Sequence, residues 1–307
     1  MLVTLKQILN KANKENYAVG AFNINNMEIC QGIMNAATAQ NAPVILQTSQ
    51  GAIEYAGIDY LKAIVYTAAK QKVPVALHLD HGRDMDIIKK CIKAGWTGIM
   101  YDGSHLPIDE NIKNTQKVVK WAHAKRIGVE AELGTIGGAE EKIIAREIIY
   151  TDPDAAVEFV KKTKIDALAI AIGTSHGAYK FSGNARLDIH LLKTIKQRIN
   201  MPLVLHGASG VPAWLVTQAA RYGAQLGKPE GVPDEQISLA VRNGINKVNT
   251  DTDLRLAFDA AVRKFLTEVP EDFDPRNILS PARDLIQQVV EHRIKTFGSS
   301  EKAGDKR

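Results

Sequence analysis

Three histidines in this chain are each followed by glycine: Asp80-His81-Gly82, Ser175-His176-Gly177 and Leu205-His206-Gly207. Each lies at or just past the end of an apolar run. His81 also has a carboxylate beside it, in "ALHLDHG" (76–82), and a buried carboxylate is costly without a partner. Three converging imidazoles would leave zinc one open coordination position, which is the catalytic arrangement. Cobalt, iron or copper accept the same donors. The spacing matches no local zinc motif, so only a fold that gathers distant segments could build such a centre.

Anion binding is the second chemistry in view. "HGASG" (206–210) and "NTDTD" (249–253) combine small residues with hydroxyls. Small residues let backbone N–H groups approach a phosphate, and hydroxyls add donors. Lys180, four residues past His176, would add positive charge.

The elements that must position these residues are short β-branched runs. They cover 18–24, 43–49, 73–81, 98–104, 128–135, 167–174, 202–209 and 245–252. Most are continuously apolar, as strands buried on both faces should be. Helical periodicity fills the gaps, with Gly95 stopping one helix and Asp152-Pro153 opening another. Eight strands alternating with helices predict an α/β fold, a (β/α)8 TIM barrel. A doubly wound open sheet is the runner-up, but no GxGxxG follows the first strand. An extra N-terminal helix is expected at roughly 4–15, and two more helices in the 210–244 connection. A C-terminal helical extension at about 254–298 holds "LRLAFDAAVRKFL" and "PARDLIQQVVEHRIKTF".

In such a barrel, catalytic residues gather at the C-terminal strand ends. Those ends carry Asn23, Ser49, Asp80 with His81, Asp102, Glu132, His176, His206 with Ser209, and Asn249 to Thr252. His78 shares the period-2 face of Asp80 one layer deeper and reads as an orienting or packing residue. Strict alternation would send Asp80 and His81 to opposite faces, so the backbone must bend there. His123, His190 and His292 read as solvated helix positions.

Bulk properties bound the rest. The 307 residues, 45% hydrophobic and 24% charged, suit one large α/β domain spanning 1–307, with no linker or low-complexity tract. The net charge of +5 is scattered without a block of like charge, which argues against a nucleic-acid partner and fits anionic small substrates. Cys30 and Cys91 both sit in apolar helical patterns and read as small buried hydrophobes in a reducing compartment. No run approaches the ~18–20 apolar residues of a membrane span, and no leader-like segment opens the chain. The cytoplasm is the expected location.

Taken together, "YAVGAFN", "HLDHG", "EAELG", "AIGTSHGAYK", "PLVLHGAS", "INKVNTDTDLR", "FDPR" and the final "FGS" resemble class II (zinc-dependent) fructose-1,6-bisphosphate aldolase. The resemblance covers nearly the whole chain, in order. It implies that His81, His176 and His206 hold the catalytic zinc and that Asp80 is the acid/base at the C4 hydroxyl. It implies a second or displaced metal position at Asp102 and Glu132, with room for a monovalent cation. It assigns Gly177, Lys180, Gly207, Ala208, Ser209 and Asn249, Thr250, Asp251 and Thr252 to the dihydroxyacetone phosphate site. Asn23 falls among the substrate-binding positions, and Ser49 matches a contact to the glyceraldehyde 3-phosphate half. Arg276 resembles an arginine that reaches the other phosphate from a neighbouring subunit, so a homodimer or homotetramer is implied. Glu140, in a loop with Gly134, Gly137 and Gly138, resembles a lid glutamate that protonates C3, with Glu141 as its neighbour. Two departures fall in that loop: Thr135 replaces the family's arginine after "EAELG", and the stretch after Glu140 is shorter than in many relatives.

The implied reaction is reversible cleavage of fructose 1,6-bisphosphate through a zinc-stabilised enediolate. Tagatose 1,6-bisphosphate, the C4 epimer, is the alternative substrate. A Schiff-base aldolase would need an inward lysine, and Lys247 is the only strand lysine. A metal-dependent amidohydrolase commonly begins with HxH on the first strand, which here reads "AVGAFNI".

Overall fold

A computed structural model describes residues 1–140, 143–145, 148–176, 186–227 and 229–304, with backbone alone for 137–140, 143–145 and 176. Gly177, Lys180 and Glu141 lie outside the described residues. Eleven strands are present among those described: β1 (Val19–Asn23), β2 (Val44–Thr48), β3 (Val75–Gly82), β4 (Gly98–Tyr101), β5 (Gly128–Leu133), β6 (Gly137–Glu140), β7 (Ile143–Ala145), β8 (Ala167–Ile170), β9 (Ser175–His176), β10 (Leu203–Leu205) and β11 (Ile245–Thr250). Eight of them close a parallel barrel in the order β1-β11-β10-β8-β5-β4-β3-β2. All eight expected runs are therefore barrel strands. Most end short of the expected run, several by one or two residues, and three stop clearly earlier, at Tyr101, Ile170 and Leu205. The residues beyond have left the ladder and turn into the mouth, helped by positive φ at Gly173 and Gly207.

The expected bend in β3 is present. His81 has φ 44°, in the left-handed region that bulky residues rarely occupy. The pairing of β3 with β4 shifts register between Leu79 and Gly82 at the same point.

The segment read as a loop around Glu140 forms strands instead. β6 pairs antiparallel with β7 and parallel with β9. "GGAE" gives little strand signal, because glycine is depleted in strands. Gly138 faces His176 across the β6–β9 pair.

The N-terminal helix, Leu5–Glu15, starts with a Thr4/Gln7 capping box. It plugs the end of the barrel opposite the mouth, burying Leu5, Ile8 and Leu9 against Ala76, Met100 and Ala167. Approach is close: a Cβ on Gly98 would lie 2.7 Å from Leu5 Cβ and 2.7 Å from His78 Nδ1. The connection after β10 holds helices Ala213–Arg221 and Asp234–Arg242, as expected.

In the C-terminal extension the helices are Thr252–Glu268 and Pro275–Thr296. The second starts before Pro281, which lies inside it, because Asp274 caps the end by accepting from Arg276 N. It packs on helix Met27–Ala39 at Gly32, where a Cβ would lie 2.7 Å from Arg283 O. No described helix is long and apolar enough to cross a membrane.

One buried ion pair ties this extension to the mouth. Arg293 Nε donates to Asp253 Oδ2 at 2.8 Å, with both residues buried. Asp253 also accepts from Val211 N at 2.8 Å and Gly210 N at 3.2 Å. Its carboxylate thus fixes the loop after β10. Arg293→Met is expected to destabilise the protein by ~3–5 kcal/mol, because Asp253 would stay buried without its charge partner. Urea denaturation followed by the helical signal checks this. An unchanged midpoint would show the pair to be structurally idle.

Candidate active site

Residues on or just past seven barrel strands meet at the mouth. The bend at His81 turns its side chain toward the same space as Asp80: His81 Nε2 lies 3.9 Å from Asp80 Oδ1. Asp80 is 3% exposed. Its Oδ2 accepts from Asn23 at 3.0 Å and Gln47 at 3.1 Å, and its Oδ1 accepts from Asn249 at 3.0 Å. Three amides from β1, β2 and β11 therefore hold one carboxylate. Burial would raise its pKa, but the charges of His81, His206 and Lys247 and the Asn23 bond outweigh this and hold it below the ordinary value.

His81 and His206 face each other edge to face, with ring centroids 4.5 Å apart. Each has a carboxylate behind it. His81 Nδ1 is 3.0 Å from Asp102 Oδ2, and His206 Nε2 is 2.7 Å from Glu130 Oε1. The inner nitrogens, His81 Nε2 and His206 Nδ1, lie 2.8 Å apart, within hydrogen-bonding distance of each other. Burial, then His81, pushes the His206 pKa down to about 4, so its imidazole is neutral near pH 7. An imidazole backed by a carboxylate in this way has the surroundings typical of a metal ligand.

Glu130 sits one layer below the rim and is fully buried. Lys247 Nζ is 2.9 Å from its Oε2, and His78 Nε2 is 3.3 Å from the same oxygen. Lys247 also donates to Asn249 Oδ1 at 2.7 Å. Burial opposes ionisation of Glu130, but Lys247, His206 and His78 hold its carboxyl well below the ordinary range. His78 is fully buried beside Glu130 in the layer below Asp80. Gln47, Glu130, Lys247 and Arg83 have no site role in the sequence reading. A sequence signal for two of them is period 2: Glu130 precedes Glu132 by two residues, and Lys247 precedes Asn249 by two.

The charges test whether a metal fits. Asp80, Asp102, Glu130 and Glu132 are all buried, facing Lys247 and the half-buried Arg83. Four buried carboxylates thus face two basic side chains among the described residues. That excess of carboxylates and the two close imidazoles suit a divalent cation. Two donor sets lie close enough to hold one: Asp80, His81 and His206, and His81, Asp102 and Glu132.

The loops after β10 and β11 are tied together. Asp251 N donates to Ser209 Oγ at 3.3 Å, and Ala208 is buried beside them. Gly207 has φ 60°, and a Cβ there would lie 2.6 Å from Ser175 O. Helix Thr252–Glu268 begins at the second loop, so its N-terminus is at the mouth. Ser49 caps helix Gln50–Ala56, accepting from Ala52 N at 3.1 Å. Thr250 is fully buried at the end of β11. Arg276 stands apart on the surface: its side chain is 88% exposed and its guanidinium pairs with Asp274. For His176 and Glu140 the backbone alone is placed, on β9 and β6. His123, His190 and His292 lie at helix positions open to solvent, with His123 bonded to Asp166 and His292 to Asp234.

The family model for fructose-bisphosphate aldolase class-II matches residues 3–226 and 229–302. A fructose-bisphosphate aldolase of Giardia intestinalis is 46% identical, over 99% of this chain and 95% of that protein. One from Thermus caldophilus is also 46% identical, over 97% and 99%. The crystal structure of the YdjI aldolase from Escherichia coli K12 superposes with a TM-score of 0.82 at 32% identity, covering 99% of this chain and 100% of that one.

The carboxylate behind His206 should tune metal binding. Glu130→Gln is expected to weaken zinc affinity by about 10–100-fold, the usual scale for a group that orients a ligand. Competition against a chromophoric chelator measures it. Wild-type affinity in that variant would mean that Glu130 only fills the barrel.

Proposed function

The chain belongs to the class-II fructose-bisphosphate aldolase family, and we propose that the buried cluster at the strand ends is its catalytic centre. The enzyme is an aldehyde-lyase that reversibly cleaves fructose 1,6-bisphosphate to dihydroxyacetone phosphate and glyceraldehyde 3-phosphate, a step of glycolysis and gluconeogenesis. Its cofactor is a divalent metal. In this reading the metal is zinc, held by His81, His176 and His206. The observation that carries it is the pair of inner imidazole nitrogens, 2.8 Å apart, beside a carboxylate fixed by three amides.

Breaking the C3–C4 bond needs the C4 hydroxyl to lose its proton and the released electron pair to be held. When bound, zinc supplies Lewis acidity for the negative charge that builds on the C2 carbonyl and C3 oxygen. Asp80 takes the C4 proton. Its low pKa keeps it ionised and ready, and Asn23, Gln47 and Asn249 keep it from rotating away. Gly207, Ala208 and Ser209, with Asn249 to Thr252 and with Gly177 and Lys180, bind the phosphate of the dihydroxyacetone half. The N-terminus of helix Thr252–Glu268 adds its positive end there. Ser49 contacts the glyceraldehyde half. Glu140 exchanges the C3 proton. Arg276, exposed on one chain, reaches the other phosphate of a neighbouring subunit, so the working unit is a homodimer or homotetramer of single-domain chains. The cytoplasm suits its two free, buried cysteines.

Lys247 points into the barrel, as a Schiff-base reading requires. Its ammonium, however, is held by Glu130 and Asn249, which disfavours attack on a carbonyl.

Chelation should abolish cleavage while the helical signal and cooperative melting persist, because the barrel core does not depend on an ion at its mouth. Added zinc should restore activity. Cleavage by protein verified metal-free would refute the class-II mechanism. Asp80→Asn should keep zinc and lose about 10²-fold or more in cleavage rate. Assaying both C4 epimers alongside it tests fructose against tagatose. Glu140→Ala should keep zinc yet lose solvent deuterium exchange at C3 of dihydroxyacetone phosphate, whereas Asp80→Asn should retain it. Wild-type exchange in Glu140→Ala would move the role to Glu141.

A further inference from the structure

Asp102 is fully engaged. Its Oδ2 takes His81 Nδ1 at 3.0 Å and Arg83 Nη2 at 2.5 Å. Its Oδ1 takes Ser104 Oγ at 2.7 Å and Ser104 N at 3.2 Å. Arg83 is anchored as well, since its backbone N donates to Gln50 Oε1 at 2.8 Å. It follows Gly82 directly, so the bend that delivers His81 also brings this guanidinium to the second donor set. The set of His81, Asp102 and Glu132 therefore already has a cation on one of its carboxylates.

We infer that Arg83 is the resident cation of that second donor set and holds the chain to one tightly bound divalent metal. The inference rests on the zinc site proposed above. A metal at the second position would share Asp102 Oδ2 with the guanidinium and would stand beside its positive charge. It would also need His81 Nδ1, which now donates to Asp102. The charge balance agrees. Among the described residues four buried carboxylates at the mouth face two basic side chains, Lys247 and Arg83. Removing Arg83 takes away one of these two cations and leaves a carboxylate oxygen of Asp102 open to coordinate.

The test is zinc stoichiometry and affinity on the full chain, stripped of metal and titrated against a chromophoric chelator, with elemental analysis of the loaded protein. Wild type should take one zinc per chain tightly. Arg83→Gln should take a second, at least about tenfold tighter than any second zinc in wild type. Arg83→Met should do the same, and Arg83→Lys should stay at one. Adding Asp102→Asn to Arg83→Gln should remove the second zinc. Two tight zincs in wild type, or one in both Arg83→Gln and Arg83→Met with the helical signal intact, would overturn the inference. His206→Ala separates the two readings: it should lose the first zinc. If it keeps wild-type affinity, the catalytic ligand assignment fails rather than the role of Arg83.

Discussion

The mouth of this barrel depends on one backbone torsion. A regular strand would present Asp80 to the interior and turn His81 into the layer of helices outside. The positive φ at His81, with the register shift before Gly82, brings both into one pocket. That conformation costs on the order of 1–3 kcal/mol for a bulky residue. It persists because bonds on both sides hold it: Asp80 by amides from three strands, His81 by Asp102. Local strain held by its surroundings is how one strand can deliver the proposed base and a proposed ligand side by side.

The same constraint explains the layer beneath. Buried carboxylates need partners, so the interior carries its own cations. Lys247 serves Glu130 and Arg83 serves Asp102. Each pair also orients a histidine, through Glu130 for His206 and through Asp102 for His81. Stability and ligand geometry thus rest on the same hydrogen bonds. The Arg293–Asp253 pair repeats this logic behind the loop after β10, where a helix from the end of the chain sets the shape of the turn proposed to bind phosphate.

Much of this was legible in the sequence, because strands buried on both faces leave continuous apolar runs and because polar residues at their ends stand out. The eight barrel strands, the N-terminal plug and the bend at His81 all follow from such patterns. Glu130, Lys247 and Gln47 did not stand out as site residues, since they sit inside the runs and look like interruptions. Their meaning depends on which strands become neighbours, which periodicity does not encode. The β6–β7 hairpin was missed for a different reason. "GGAE" has no strand propensity of its own, and its partners are β7, next along the chain, and β9, more than thirty residues away.

That small sheet has a mechanical consequence. Gly138 and His176 are ladder partners, so the strand carrying Glu140 is knitted to the strand carrying a proposed metal ligand. A segment hinged at glycines cannot swing clear of the mouth without either breaking those backbone bonds or dragging β9 with it. Opening and ligand geometry then share one coordinate. In the function proposed above, any displacement of the Glu140 strand would therefore be felt at His176.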